Sequence, residues 1–376
     1  MSPLRPKAKD GEEVLRELEK RRKAIEAVDL EILRLLCRRM ELVRSVGRLK
    51  SLHRIPLRNF EVEAEVERRL GREAADAGHG EALGRALARF LIGVSVEAQA
   101  PYLDATYGGE KLRVLVVGGA GGMGRWMGRF LNGQGHAVKV HDPSPLPTPH
   151  PRVSNLAEGL EWADLALLAV PMGVCGEVLK AVSALRFPGI VAEICSFKAH
   201  LLPVLEEVRR RGLRVVSFHP MFGPGAETLS GKKVLFCREG APQDVALLRG
   251  LFENTSAELG EVDLLEHDRL MAKVLGLVHL ANLALGWTLA RGGLPWERLR
   301  EAGGVTFRKQ TDTTREVIFE NPDLYFEIQR LNPERDGGAA ALVESLEEIL
   351  GAVRSGNREA FSRLMEAGRR YFGPAP

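Results

Sequence analysis

The sequence predicts a multidomain chain with a doubly wound α/β unit set between two all-helical units. An apolar run, Val114–Val117, feeds a glycine cluster and begins an alternation of strand-like and helical stretches. From about Asp10 to Ala100, and again from about Glu266 to Phe372, apolar residues recur at helical spacing. A chain of 376 residues is long for a single core. The expected segments are 10–100, 111–265 and 266–376, with Gly108-Gly109 as the linker between the first two.

In the first segment Leu15, Leu18, Ile25, Val28, Ile32, Leu35, Leu36, Leu42, Val43, Val46 and Leu49 lie three or four apart with charges between them. This predicts one helix of about forty residues, long enough to span a dimer. Ile55-Pro56 breaks it, a second helix runs from near Phe60 to Asp76, and a third covers Glu81–Gln99 with Pro101 ending it.

Strands are expected at Val114–Val117, Ala137–His141, Leu165–Val170, Ile190–Ile194 and Val215–Phe218, separated by helical stretches that include Val174–Leu185 and His200–Arg211. That is the rhythm of a parallel sheet covered on both faces. The loop from Pro143 to Pro151 has proline at every second position and reads as a stiff connector.

A net charge of only +3 argues against a nucleic-acid or membrane-surface partner and leaves small acidic substrates, held by local arginines. Cys37, Cys175, Cys195 and Cys237 show neither a C-x-x-C pair nor zinc spacing, so reduced thiols and no metal are expected. The start lacks a secretory h-region, and no apolar run is read as long enough to span a bilayer, which makes the cytoplasm the expected location.

Gly119-x-Gly121-x-x-Gly124, preceded by Gly118 and containing Gly122 and Met123, has dinucleotide-turn spacing between a strand and a helix. The first glycine allows the tight turn, the second lets backbone approach a pyrophosphate, and the third lets helix and strand pack closely. Asp142 ends the next strand, where a carboxylate accepts from ribose hydroxyls and repels an added phosphate; NAD is therefore expected over NADP. Val170, which ends the third expected strand, and Pro171 are placed beside the same cofactor.

Ser217-Phe218-His219-Pro220-Met221-Phe222-Gly223-Pro224 sets a histidine at a strand's carboxyl end, where α/β sheets bind ligands. Such a histidine can take a hydroxyl proton as hydride leaves the same carbon. With these motifs, residues 111 to 372 resemble the prephenate dehydrogenase family, which oxidises prephenate with NAD and releases CO2 to give 4-hydroxyphenylpyruvate. The resemblance implies that His219 is the catalytic histidine and that Ser196 lies near it, with Lys198 near substrate. It also implies that His267 of Glu266-His267-Asp268 joins the site, that Arg308 grips the ring carboxylate, and that the helical C-terminal region dimerises. The run Leu275, Leu277, Leu280, Leu283 and Leu289 fits a buried interface helix.

On the long first helix Arg39 and Lys50 are eleven residues apart, about 20° on a helical wheel. Both align with Val28, Ile32 and Val46, so these cations need carboxylate or anionic partners. Arg22 lies about 100° away and suits a neighbouring chain. Ser95 and Gln99 share one face of the third helix. Residues from about Glu12 to Gln99, and LCRRMELVRSVGRLK (Leu36–Lys50) in particular, resemble the all-helical chorismate mutases. That resemblance implies chorismate contacts from Arg39, Lys50, Glu63, Ser95 and Gln99, with Arg22 supplied by a dimer partner. Two positions depart from the family: Asn59 stands for its usual Asp and Val62 for its Arg. Losing one charged hydrogen bond, roughly 1.5–3 kcal/mol, implies turnover about ten- to a hundredfold weaker.

Over nearly the whole chain the resemblance is to the bifunctional chorismate mutase–prephenate dehydrogenases. The alternatives are an inactive helical module fused to a working dehydrogenase, a general β-hydroxyacid dehydrogenase, or arogenate in place of prephenate.

Overall fold

The computed structural model describes residues 8–53, 60–104, 109–226, 229, 231–255 and 257–373. Internal contacts divide the chain into two compact units: Met1–Glu110 with Gly225–Lys233 and Gly250–Glu258, and Lys111–Pro224 with Val234–Arg249 and Leu259–Pro376.

The first unit holds α1 (Ala8–His53), α2 (Phe60–Asp76) and α3 (Glu81–Asp104). Helix α1 runs 46 residues, about as long as its apolar period predicts. Its proposed break at Ile55-Pro56 lies outside the described residues, as does Asn59. Helix α3 corrects one expectation by continuing through Pro101 to Asp104; a proline removes a single N–H donor, and the chain here absorbs that loss near the helix end. Ile25, Val28, Ile32 and Leu42 of α1 remain exposed.

The second unit is built on a seven-stranded sheet ordered β2-β1-β3-β4-β5-β6-β7. Its strands are β1 (Arg113–Val117), β2 (Ala137–His141), β3 (Leu165–Leu168), β4 (Ile190–Glu193), β5 (Arg214–Pro220), β6 (Lys233–Cys237) and β7 (Glu258–Val262). The first five pair in parallel, with registers such as Val114↔Val138, Val114↔Leu165, Leu165↔Ile190 and Ile190↔Arg214. Strand β6 joins β5 antiparallel, Phe218 opposite Phe236. Strands β3 and β4 are buried at every residue, because helices cover both faces of the sheet; their sequences are accordingly apolar without alternation up to Glu193 at the end of β4. The covering helices are α4 (Gly122–Gly133), α5 (Leu156–Trp162), α6 (Met172–Ala184), α7 (Leu202–Arg210) and α8 (Pro242–Glu253). The chain leaves β1 through α4 to β2, then returns through α5 to β3 on the other side of β1. This reversal opens a crevice at the carboxyl ends of β1 and β3. Strands β6 and β7 and helix α8 extend the α/β unit beyond the five strands expected.

Helices α9 (Leu264–Met271), α10 (Val278–Ala290), α11 (Trp296–Ala302), α12 (Val305–Ile318), α13 (Pro322–Leu331), α14 (Arg335–Arg354) and α15 (Arg358–Phe372) complete the unit. A π turn, Ala272–Leu277, joins α9 to α10. The joined stretch Leu264–Ala290 corrects the expectation that no run reaches bilayer length. It has 27 residues, and its most apolar 18-residue window has a mean hydropathy of 1.5 with only 22% of it buried. The charged residues near its start disguised its length, yet the π turn keeps it helical throughout. It also holds buried polar groups: Asn282 Oδ1 accepts from Gln310 Nε2 at 3.0 Å and from Thr314 Oγ1 at 2.8 Å, linking α10 to α12.

Candidate active sites

The glycine turn lies at the crevice. Gly118 adopts φ +84 and donates its N–H to His141 O at 2.8 Å, which ties β1 to the end of β2. A Cβ at Gly118 would strike the Ala169 carbonyl oxygen, and one at Gly124 would strike the Gly118 carbonyl oxygen. The tight turn is therefore made at Gly118, one residue earlier than the motif spacing assigns it, while Gly124 provides the close packing expected of it. Gly121 caps α4 without a side chain, so backbone N–H groups at the helix start face the crevice. Asp142 holds a fixed position: Oδ2 accepts from Ala120 N and Oδ1 from Ser144 N, each at 2.8 Å. Each oxygen keeps a further lone pair for a ribose hydroxyl. A bulk-free cradle beside a fixed carboxylate fits a dinucleotide.

A cavity of about 740 Å3 continues from this turn. Gly121, Gly122, Met123, Val170 and Pro171 line it at the cofactor end, and Ser196 and His219 line it further in. The loop after His219 packs back on α4, with Trp126 edge-on to Phe222 at 4.8 Å between ring centroids.

His219 ends β5 and is nearly fully buried. Its Nδ1 lies 3.0 Å from His267 Nε2, and His267 Nδ1 lies 2.8 Å from Asp268 Oδ1. Asp268 also accepts the backbone N–H groups of Lys198 and Ala199, so its carboxylate acts as an acceptor throughout. This assigns the protons. His267 carries its hydrogen on Nδ1, its bare Nε2 accepts from His219 Nδ1, and His219 Nε2 keeps a lone pair for a ligand. Burial, His267 and Lys198 together hold the His219 pKa well below its ordinary value. His267 is lowered as well, chiefly by burial, against the raising effect of Asp268. The site thus presents a neutral imidazole base at neutral pH.

Two expected ligands sit elsewhere. Lys198 is a correction: its side chain is completely buried, with Nζ 2.7 Å from Glu193 Oε1 and 3.1 Å from Phe218 O, so the ammonium is committed to protein partners and does not line the cavity. Arg308 is the second: it is exposed on α12, donates Nε to Gly303 O at 3.1 Å, and does not line the cavity of its own chain. Residues the sequence did not single out occupy the far wall. His279 stacks on Tyr325 with ring centroids 4.4 Å apart, and its Nδ1 is buried without a partner among the described residues. Glu327 Oε1 accepts the Gly173 N–H at the start of α6. Asp268 was visible in the Glu-His-Asp motif, but its role depends on contacts that only folding creates. Cys175, Glu193 and Cys195 bring three possible metal-ligand atoms within 4.8 Å of one another, although Glu193 is already paired with Lys198.

In the helical unit Arg39 Nη1 donates to Ser95 Oγ at 2.6 Å and to Leu91 O at 3.2 Å. Burial lowers the Lys50 pKa and nearby Glu63 raises it, so those two share one neighbourhood. Gln99 Nε2 donates to Ser95 O at 3.1 Å, while its Oε1 is buried with no partner among the described residues. Five expected residues thus cluster between α1, α2 and α3. Arg22 is exposed and about 26 Å along the helix from Arg39, beyond the reach of this cluster within one chain. Val62 is 58% exposed and offers no polar group.

The doubly wound sheet, glycine turn and buried histidine pair define a nucleotide-dependent dehydrogenase, preceded by a helical unit with its own polar cluster. Three family descriptions match the chain in succession. Residues 21–100 match chorismate mutase type II, 151–260 the nucleotide-binding domain of prephenate dehydrogenase, and 264–367 its dimerization domain. The chain belongs to the prephenate dehydrogenase family and carries a chorismate mutase type II domain ahead of it. The T-protein of Enterobacter agglomerans is 25% identical over 357 residues, covering 95% of this chain and 93% of that protein. A probable arogenate/prephenate dehydrogenase of Methanocaldococcus jannaschii is 26% identical over 273 residues, 70% of this chain; the match spans 61% of that protein's own length. Among solved structures, prephenate dehydrogenase from A. aeolicus in complex with hydroxyphenyl propionate and NAD+ superposes with a TM-score of 0.56. It shares 21% identity and covers 70% of this chain and 99% of that one, a likeness of fold.

Proposed function

We propose that the chain catalyses two consecutive reactions: rearrangement of chorismate to prephenate by residues 10–100, then NAD-dependent oxidative decarboxylation of prephenate to 4-hydroxyphenylpyruvate by residues 111–376. The observation that carries the second step is the Asp268–His267–His219 chain, which leaves an unprotonated Nε2 on a residue that lines the cavity running on from the glycine turn. NAD, held by the backbone at Gly121–Gly124 and by Asp142, supplies the hydride acceptor. His219 Nε2 accepts the ring hydroxyl's hydrogen bond and stabilises the charge that grows on that oxygen's carbon as hydride leaves. The carboxylate carbon departs as CO2, its bonding electrons aromatise the ring, and the product keeps the phenol proton. Ser196 shares the cavity and orients the hydroxyl beside His219. Arg308, exposed outside its own cavity, serves a ring carboxylate bound to a second subunit. The dimerization domain and the open apolar faces of α1 and α10 support a homodimer. Four free cysteines support a cytoplasmic setting.

For the first reaction Arg39 holds a substrate carboxylate, Lys50 and Gln99 face the breaking ether oxygen, and Arg22 comes from the partner subunit. In the structure Gln99 Nε2 is turned to Ser95 O, so the amide must rotate or exchange its partner to donate. The second reading, an inactive helical module, is favoured by Val62, which leaves the site one cation short. A paired assay separates the two: chorismate loss without NAD, and NADH formation from prephenate. No chorismate loss above background assigns the helical unit to dimerisation alone; no NADH from prephenate removes the dehydrogenase reading. NADH from arogenate but not from prephenate changes the substrate and keeps the reaction class.

A further inference from the structure

Lys198 is a long cation with no exposed surface, and one of its partners is the carbonyl that precedes the cavity-lining His219. Its Nζ meets Glu193 Oε1 at the end of β4 and the Phe218 carbonyl beside His219 on β5, at 2.7 and 3.1 Å. Its backbone N–H meets both oxygens of Asp268 on α9, at 3.0 and 2.9 Å. One residue therefore ties together the three elements whose alignment sets the His219–His267 contact. A buried ion pair gains little over apolar packing for stability alone, so the persistence of a fully buried charge here calls for another role.

We propose that Lys198 is a positioning residue for the hydride-transfer step: it holds β4, β5 and α9 so that His219 rests on His267, and it keeps both imidazoles neutral, without touching substrate. This rests on the dehydrogenase reading above. The groups facing it are Glu193 from β4, Cys195 from the loop after β4, His219 from β5, Cys237 from β6, and His267 and Asp268 from α9, with Arg209 of α7 facing Glu193 from the other side. Glu193 pairs with the ammonium, yet Lys198 lowers the pKa of both imidazoles. A second positive charge on either ring would repel it, which disfavours protonation of both.

The test uses the full-length protein with saturating NAD and compares wild type with Lys198→Met and with the double variant Lys198→Met/Glu193→Gln, which leaves no unpaired buried charge. Chorismate loss by the helical unit and a cooperative melt report folding. In the double variant kcat for prephenate oxidation is expected to fall about tenfold or more, with KM changed by less than about threefold. The acid limb of kcat/KM is expected to move to higher pH, because removing a neighbouring cation raises the His219 pKa. Nitrogen NMR titration of His219 in the resting protein reads the same upward shift without any turnover. If wild type fails to oxidise prephenate, the functional reading fails, while the titration still decides the role of Lys198. A tenfold rise in KM with kcat kept identifies Lys198 as a substrate ligand and overturns the proposal. Unchanged kcat with an unshifted titration overturns it too, as does loss of the cooperative melt in the double variant, since each leaves the lysine a purely structural role.

Discussion

Asp268 carries three donors on two oxygens: His267 Nδ1 and the backbone N–H groups of Lys198 and Ala199. Asn at this position has one acceptor oxygen and turns an NH2 toward at least one of those donors. Asp268→Asn should therefore misorient His267 and lower dehydrogenase kcat by about ten- to a hundredfold, with a stability loss of about 1–3 kcal/mol read by denaturant melts. His219→Asn removes the base itself and should lower kcat by about 10²–10⁴ while chorismate turnover stays near wild type. A parallel fall in both activities would show that the two sites are coupled. Since burial and Lys198 hold the His219 pKa below its ordinary value near 6.5, the base is ready at neutral pH, and the acid limb of kcat/KM should lie below pH 6.5. A limb above pH 7 would contradict this charge assignment.

At the scale of elements, the β1–α4 turn has no room for side chains. Gly124→Ala puts a methyl group against the Gly118 carbonyl, so the turn must open; NAD affinity, followed by titration of protein fluorescence, should weaken at least about tenfold. Tight binding retained by this variant would place the cofactor elsewhere. On α1, Lys50→Ala should abolish chorismate turnover and spare prephenate oxidation if Lys50 supplies the charge proposed for the breaking ether bond, since Glu63 of α2 is its charged neighbour. These elements were legible in the sequence for a local reason: a strand, a glycine turn and a helix, or a forty-residue apolar period, are encoded by neighbouring residues. Strands β6 and β7 were not. Lys233–Cys237 and Glu258–Val262 are short, and only pairing with strands already in the sheet gives them their state. Helix α3 shows the same limit, since a proline near a helix end lowers the odds of continuing without forbidding it.

Across the whole molecule, several buried histidines are held neutral. His136 accepts the Leu112 N–H at Nδ1, and burial beside Lys111 takes its pKa to about 4. A histidine whose folded pKa lies below its unfolded value supports the fold fully above pH 6.5, and that support is lost as pH falls from 6.5 toward 4. His136 alone accounts for at most about 3 kcal/mol of such loss, and His219, His267 and His279 add in the same direction. Melting temperature should therefore drop steeply between pH 6.5 and 4.5; a flat profile over that window would show that these rings protonate without cost. The unpartnered apolar faces, from Ile25 and Ile32 on α1 to Trp287 on α10, predict a dimer in sedimentation or light scattering. A monomer at micromolar concentration would leave Arg22 and Arg308 without a site.

The sequence by itself determined the order of the segments, the glycine turn, Asp142, and the histidine at the end of β5, since each is specified by residues within a few positions of one another. The spacing of Arg39, Lys50, Ser95 and Gln99 on single helices was also legible, but it was the resemblance to the helical chorismate mutases that singled them out. Only the tertiary structure decided what Lys198, His267 and Asp268 contact. Their contacts join positions 48 and 70 residues apart, and no local pattern encodes which buried carboxylate a lysine will meet. The same residue that reads as a substrate neighbour in the chain becomes, once folded, a buried cation, because its Nζ is taken up by Glu193 Oε1 and the Phe218 carbonyl.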